Sequence, residues 1–270
     1  MNLYMLRRAG IYAFLSLAAF LSVFPFLWMA IGATNKSTDI VTGKVTIGSN
    51  LLVNFQNLLA QVDLLRIFGN SFLIAIVSTV LTLAVSSLAG YGFEIFRSRV
   101  RERIFQILLL LMSIPFAALM VPLFVLISRA QLTNTFTAVI LPTIVSIFIV
   151  FYFRQATKAF PGELRDAARV DGLKEWQIFL FVYLPTMRST YAAATIIVFM
   201  AAWNNYLWPL IVLQTPENKT ITLVISTLTA AYTPDYGVIL LTTVLATLPT
   251  LIIFFVLQRQ FVQGMLGAVK

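Results

Sequence analysis

Six stretches of this chain contain no Asp, Glu, Lys or Arg, and their length decides what the chain can fold into. They cover residues 9–35, 67–93, 104–128, 130–153, 189–216 and 236–258, which is 27, 27, 25, 24, 28 and 23 residues. A helix needs about 20 residues to cross a hydrocarbon core of about 30 Å, so each run is long enough. Two other uncharged runs fail on content. Residues 45–62 carry Thr46, Gly48, Ser49, Asn50, Asn54, Gln56, Asn57 and Gln61, too polar for lipid, and residues 220–234 are short and rich in Thr. The composition, 60% hydrophobic and 11% charged, lies outside the range of soluble domains. The runs are continuous, which argues against a β-barrel, and they show almost no polar stripe, which argues against a soluble bundle. The reading is an all-α integral membrane protein with six transmembrane helices, over about residues 10–33, 68–93, 104–128, 134–153, 189–213 and 236–258. The first run is too long for a signal peptide and lacks a small-residue cleavage site, so it is expected to be a retained helix.

Charge sets the orientation. With both termini on the side of residues 97–103 and 154–188, that side holds 14 of the 19 cations. They are Arg7, Arg8, Arg97, Arg99, Arg101, Arg103, Arg154, Lys158, Arg165, Arg169, Lys174, Arg188, Arg259 and Lys270. The other five are Lys36, Lys44, Arg66, Arg129 and Lys219. The positive-inside rule puts the 14, and both termini, in the cytoplasm. The net charge of +9 is therefore topological and does not point to nucleic acid. Cys and His are both absent, which removes thiol chemistry, Ser-His-Asp triads and the usual zinc sites. No ionisable residue falls mid-span: Glu94 closes the second span and Arg129 the third. Ion-coupled carriers usually keep such a group or a broken helix near the midplane, so an ion-coupled secondary solute carrier is the weaker alternative. A membrane-embedded enzyme would need clustered acid–base groups, yet four of the six cytoplasmic carboxylates lie in one loop.

That loop, residues 154–188, is the chemical exception in the chain. Leu164, Ala167, Ala168 and Asp171 recur at helical spacing, with Arg165 and Arg169 on another face. Asp171-Gly172 predicts a turn, because Gly takes the left-handed conformation that ends a helix. A second amphipathic segment follows, with Leu173, Trp176, Phe179, Leu180 and Tyr183 on one side, and Leu184-Pro185 is expected to stop it at the membrane surface. Ala pairs admit close approach of a partner backbone, and Asp166 and Asp171 offer acceptors for its Arg or Lys. The residues alone leave two readings open: a linker lying on the headgroups, or a docking element for another protein.

The segment Asp166-Ala167-Ala168-Arg169-Val170-Asp171-Gly172, with Glu163 ahead and Leu184-Pro185 behind, resembles the EAA loop of ABC importer permeases. The likeness extends to Asn70-Ser71, Ala89-Gly90-Tyr91, Phe153-Arg154-Gln155, Trp203-Asn204-Asn205-Tyr206-Leu207-Trp208-Pro209 and the tail from Gln258 to Gly264. It is greatest to the carbohydrate-uptake, MalG-like family of the maltose importers. Asp166 departs from the usual Glu, Leu173 stands where Ala is common, and Ser189 where a second Pro is often found. The resemblance implies a type I importer transmembrane domain. It implies a permease that pairs with a second, MalF-like permease, docks two ATPase subunits through Glu163, Asp166, Ala167, Ala168, Asp171, Gly172, Leu184 and Pro185, and receives solute from a periplasmic or lipid-anchored binding protein. ATP and Mg would belong to the partners, with no cofactor bound by this chain, which has no phosphate loop of its own. It also implies a cytoplasmic tail over residues 259–270 that reaches the ATPase interface, and outer loops (34–66 and 214–235) that either meet the binding protein or simply connect. Trp203, Asn204, Asn205 and Tyr206 are candidates for the solute pathway or its gate, with packing the favoured role for the two Asn. Pro115, Pro122 and Pro142 are expected to kink the third and fourth spans.

Overall fold

A computed structural model of the chain describes residues 3–267; Lys270, counted above among the cytoplasmic cations, and the last residues of the predicted tail lie outside it. The described residues are helical, with no strand among them. Four helices are long and apolar enough to span a bilayer alone: Arg7–Gly32, Leu64–Ile95, Arg188–Val212 and Tyr236–Arg259. Two bent pairs, Arg99–Leu111 with Phe116–Arg129 and Phe136–Thr143 with Ile147–Thr157, bring the number to six when each counts as one span.

The chain forms two compact units. The first, residues 1–65 and 221–249, contains helices α1 (Leu3–Gly32), α2 (Ser37–Val41) and α3 (Leu51–Gln61). Its polar loop is held by buried amides. Asn54 donates to the carbonyls of Ala33 and Asn35 at 2.8 and 3.0 Å, and Asn35 donates to those of Ile31 and Thr46 at 2.9 and 2.8 Å. Asp235 accepts from the backbone of Gly237 and Val238 and from the Ser37 hydroxyl, so one carboxylate starts a helix and fastens the loop. Leu58, Ala33, Val238 and Leu241 form the apolar centre of this unit.

The second unit, residues 66–220 and 250–270, is organised around α4 (Leu64–Ile95). Here the expectation of almost stripe-free spans fails. The buried face of α4 carries Ser71, Ser78, Thr79, Thr82, Ser86 and Gly90, while Leu73, Ile76, Val80 and Leu88 are exposed. Lipid removes the usual incentive to bury apolar groups, so small residues turn inward, where they let helices pack closely, and large apolar ones turn out. At Gly90 the need is geometric, since a Cβ there would lie 2.7 Å from Phe153 Cβ and 2.8 Å from the Arg154 nitrogen.

The third predicted span is not one straight helix. α5 (Arg99–Leu111) and α6 (Phe116–Arg129) meet at 101° around Pro115, whose ring fixes its own φ and donates no hydrogen bond. The fourth is bent by 43°: α7 (Phe136–Ile140) gives way to a short 3₁₀ turn, Leu141–Thr143, before α8 (Ile147–Thr157). Pro142 cannot donate to Ala138, and the fully buried Trp208 takes its place, its indole N–H reaching the Ala138 carbonyl at 2.8 Å. Pro122 stays inside α6. Trp208→Phe keeps the ring but orphans that carbonyl, so the apparent stability in detergent should fall by about 1–3 kcal/mol, measured by thermal or denaturant unfolding.

Candidate docking site

The segment after α8 begins with α9 (Gly162–Val170), which stops in a Schellman arrangement. Gly172 at φ +83° donates to the Arg169 carbonyl, and Leu173 donates to that of Ala168, both at 3.0 Å. Lys174 then opens α10 (Glu175–Ile178), its backbone N–H held by the Gln177 side chain at 2.8 Å. A wide π turn over Phe179–Tyr183 and α11 (Leu184–Thr186) lead into α12 (Arg188–Trp203), followed by α13 (Leu207–Val212). Leu184-Pro185 therefore does not stop the chain's helical path, contrary to expectation. The looser turn ahead of Pro185 accommodates its missing N–H, and the segment continues into the fifth span.

Ion pairs brace α9. Arg169 Nε donates to Glu175 at 2.7 Å and Arg165 to the same oxygen at 3.5 Å, while the Arg165 guanidinium lies 5.5 Å from the centre of the Phe96 ring. Partial burial pushes the Glu175 carboxyl up, but hydrogen bonds from Arg169 and Arg165 outweigh it and hold the group below the usual carboxylate range. At the root of the loop, Thr157 and Tyr183 share a buried hydroxyl hydrogen bond of 2.7 Å, and Tyr183 packs against Tyr91, Phe160 and Phe179.

The structure brings Glu163, Asp166, Ala167, Asp171 and Gly172 together on the exposed side of α9, joined there by Leu164 and by Val170, which is 88% exposed. Ala168 is 6% exposed and packs inward, so Ala167 alone of the two offers a small outward surface. The predicted second face also divides: Phe179 and Tyr183 are buried with Ile178, whereas Trp176 and Leu180 point outward. Leu184 and Pro185 are exposed at the far end of the loop. In the Trp-Asn block, Trp203 is buried between Phe72 and Phe199 (4.8 and 5.8 Å between ring centres) and packs rather than lining a passage. Asn204 caps α12 by donating to the Met200 carbonyl at 2.9 Å, and Asn205 and Tyr206, both half-buried, occupy the break before α13.

Sequence reasoning missed a buried charge cluster above this loop. Arg154, 5% exposed at the end of α8, donates to Glu94 at 3.3 Å and to Glu102 at 2.6 Å, with its guanidinium 4.0 Å from the centre of the Phe105 ring. Arg97 pairs with Glu94 as well. One cation thus ties the ends of α4, α5 and α8. A signal was present: Glu94 and Arg154 each directly follow a charge-free run, at the same predicted membrane level.

Arg154→Met removes the cation shared by Glu94 and Glu102, leaves Glu94 its pair with Arg97, and should cost about 1–3 kcal/mol in unfolding stability. Arg154→Lys, which keeps the charge beside Glu94 and Glu102, should retain more stability than Arg154→Met. Because the Glu175 value is depressed on folding, its contribution is complete above the ordinary carboxylate value and disappears as pH falls through the lowered one. An acid titration of thermal stability should therefore be steeper for wild type than for Glu175→Gln.

Residues 82–267 match the family described as binding-protein-dependent transport system inner membrane component. The chain is 64% identical over 259 residues to the lactose transport system permease protein LacG of Rhizobium radiobacter, covering 96% of this chain and 95% of that one. It is 39% identical to the arabinooligosaccharides transport system permease protein AraQ of Halalkalibacterium halodurans, covering 93% and 92%. Its fold is that of a bacterial ABC transporter involved in alginate import, with a TM-score of 0.85 at 18% identity, covering 97% of this chain and 99% of that one. This chain belongs to the family of inner-membrane permease components of binding-protein-dependent ABC importers.

Proposed function

We propose that this chain forms one half of the pathway of an ATP-driven importer for a neutral disaccharide or short oligosaccharide. The observation that carries the coupling role is α9, fastened on one side to its own membrane helices and bare on the other. An interfacial linker would turn its apolar residues to one face. Here Val170 and Leu164 stand exposed among Glu163, Asp166 and Asp171, a mixed surface suited to a protein groove rather than to headgroups. The sugar class rests on the relatives that carry lactose and arabinooligosaccharides in their names.

In this reading the side bearing α9 is cytoplasmic, and the partners are a second, MalF-like permease, two ATPase subunits that hold ATP and Mg, and a solute-binding protein. ATP binding closes the ATPase pair and displaces α9. The ion pairs to Glu175, the Thr157–Tyr183 bond and the Arg154 cluster carry that displacement to α4, α5 and α8. The ATP-bound partners shift the permease between inward- and outward-facing populations by binding one better than the other. Glu163, Asp166 and Asp171 supply acceptors for ATPase cations, and Ala167 permits close approach.

Tagged chain drawn from native membranes in mild detergent should bring an ATPase with it, and Asp166→Arg should release that ATPase while the permease remains inserted. Gly172→Pro forces φ to about −65° at a position that stands at +83°. It should lower ATP-dependent uptake about tenfold or more, equivalent to about 1.4 kcal/mol of lost coupling. Retention of both ATPase and uptake in these variants would remove the docking role.

A further inference from the structure

The segment between the second and third spans carries more positive charge than the chain neutralises. Arg97, Arg99, Arg101 and Arg103 fall within seven residues, with Glu102 the only acid among them. Glu102 and the neighbouring Glu94 are both engaged by Arg154, and Glu94 by Arg97 as well. Arg99, Arg101 and Arg103 are exposed and form no ion pair among the described residues. Arg99 and Arg103 also stand one turn apart on α5, where like charges repel. Topology asks for cations on the cytoplasmic side, but it does not ask for a receptive surface beside them.

Such a surface is present. A shallow groove of about 250 Å³ is lined by Ala89, Gly92, Phe93, Phe96 and Arg101. It lies at the membrane boundary, since one charge-free run ends at Phe93 and the next begins at Ile104. Its aromatic walls are fixed: Phe93 packs on Phe105 and Phe96 on Tyr91, at 5.4 and 6.2 Å between ring centres. There is room at Gly92, where an added Cβ would meet nothing within 4 Å. The Arg101 guanidinium donates to the Phe96 carbonyl and lies 5.9 Å from the centre of the Phe96 ring. That anchors the cation and leaves most of its N–H groups to donate elsewhere. Towards the middle of the span, Leu88, Val85 and Leu81 are all exposed and continue the face of Gly92 along α4 at helical spacing.

We propose that this groove binds an anionic phospholipid of the cytoplasmic leaflet, with the phosphate on Arg101 and an acyl chain along Gly92, Leu88 and Val85. The two halves of such a molecule match the two halves of the site: a cation amid uncompensated arginines at the boundary, and an apolar track leading from it into the span. Free phosphate would use the cation alone. A zwitterionic lipid brings its own ammonium group into the arginine cluster and is disfavoured. Basic pockets between helices on the cytoplasmic side take acidic headgroups, and each cation near the surface adds to the attraction. A lipid held here bridges the ends of α4 and α5, the same two helices that Arg154 ties. The site needs the membrane topology and does not depend on the importer reading.

The test uses the chain purified with its partners in mild detergent, stripped of lipid and offered equal amounts of phosphatidylglycerol and phosphatidylcholine. Bound lipid is counted by native mass spectrometry. Wild type should retain phosphatidylglycerol in preference. Arg101→Gln should weaken that retention about fivefold, equivalent to about 1 kcal/mol for one cation at the membrane surface. Gly92→Leu keeps every charge and fills the groove, so it should weaken retention at least as much, and Ala89→Leu fills it from a second position. Arg188→Gln, an exposed cation outside the groove, should leave retention unchanged. Thermal unfolding of each variant in neutral detergent separates lost lipid from lost fold. A wild type with no preference for phosphatidylglycerol overturns the proposal. Loss with Arg101→Gln but with neither groove-filling variant, or an equal loss with Arg188→Gln, reduces the effect to surface charge and overturns the groove as a site. Displacement of the lipid by millimolar inorganic phosphate assigns the site to free phosphate and overturns the lipid.

Discussion

The demand that every backbone donor and acceptor find a partner in the absence of water governs this structure. In hydrocarbon an unpaired peptide group costs several kcal/mol, which leaves helices as the default and makes each helix break an event that needs compensation. Pro142 shows the rule at the scale of one atom. Its ring removes the donor that Ala138 would have used, and Trp208 is held at full burial where its indole N–H can substitute. Asn134, at φ +59°, shows it in a loop: its side-chain oxygen accepts from the backbone of Gln214 and Thr215, while its own N–H goes to the Val212 carbonyl. Asn70 donates to the carbonyls of Glu217 and Lys219 in the same unit. The irregular regions are therefore ordered by amide side chains that act as substitute backbone.

Charge obeys the same constraint with larger energies. Arg154 is buried beside two carboxylates and an aromatic face, an arrangement that gains little stability over an apolar core but becomes costly when one member is removed. That asymmetry suits a joint. The cluster specifies where the ends of α4, α5 and α8 sit, and it lies three residues from Thr157, whose hydroxyl meets Tyr183 inside the loop that carries α9. In the coupling role proposed above, the loop must not absorb movement. The Schellman stop at Gly172, the Arg169–Glu175 pair and the Tyr183 cluster all remove slack between α9 and the membrane helices.

The sequence made the number of apolar segments, the helix–turn–helix at 162–178 and the left-handed Gly172 readable, because each follows from local chemistry: run length, periodicity and the conformational freedom of one residue. What it hid was directional. Ala167 and Ala168 are equivalent as letters, yet Ala168 packs inward and Ala167 does not, a choice fixed by the orientation of α9 against the rest of its unit. Trp176, Leu180, Phe179 and Tyr183 share one side by spacing, yet only Phe179 and Tyr183 are buried. Next to a bilayer, apolar character does not by itself tell which side packs inward, as the Ser- and Thr-rich buried face of α4 also shows. The Arg154 cluster required pairing across 52 and 60 positions of chain, which no local pattern encodes.

The same ambiguity bears on how solute passes through so apolar a chain. A conventional hydrophilic pore would have announced itself as a polar stripe spanning several segments. Besides the Ser and Thr face of α4, polar atoms gather where helices break, and part of their capacity is engaged in stabilising the breaks. Thr82 and Thr143 illustrate the economy: each hydroxyl serves a backbone carbonyl at the bend around Pro142. In the importer proposed above, helix breaks satisfied in this way would leave a passage shaped chiefly by backbone and a few hydroxyls, and the weak holding such a passage offers is what transit requires.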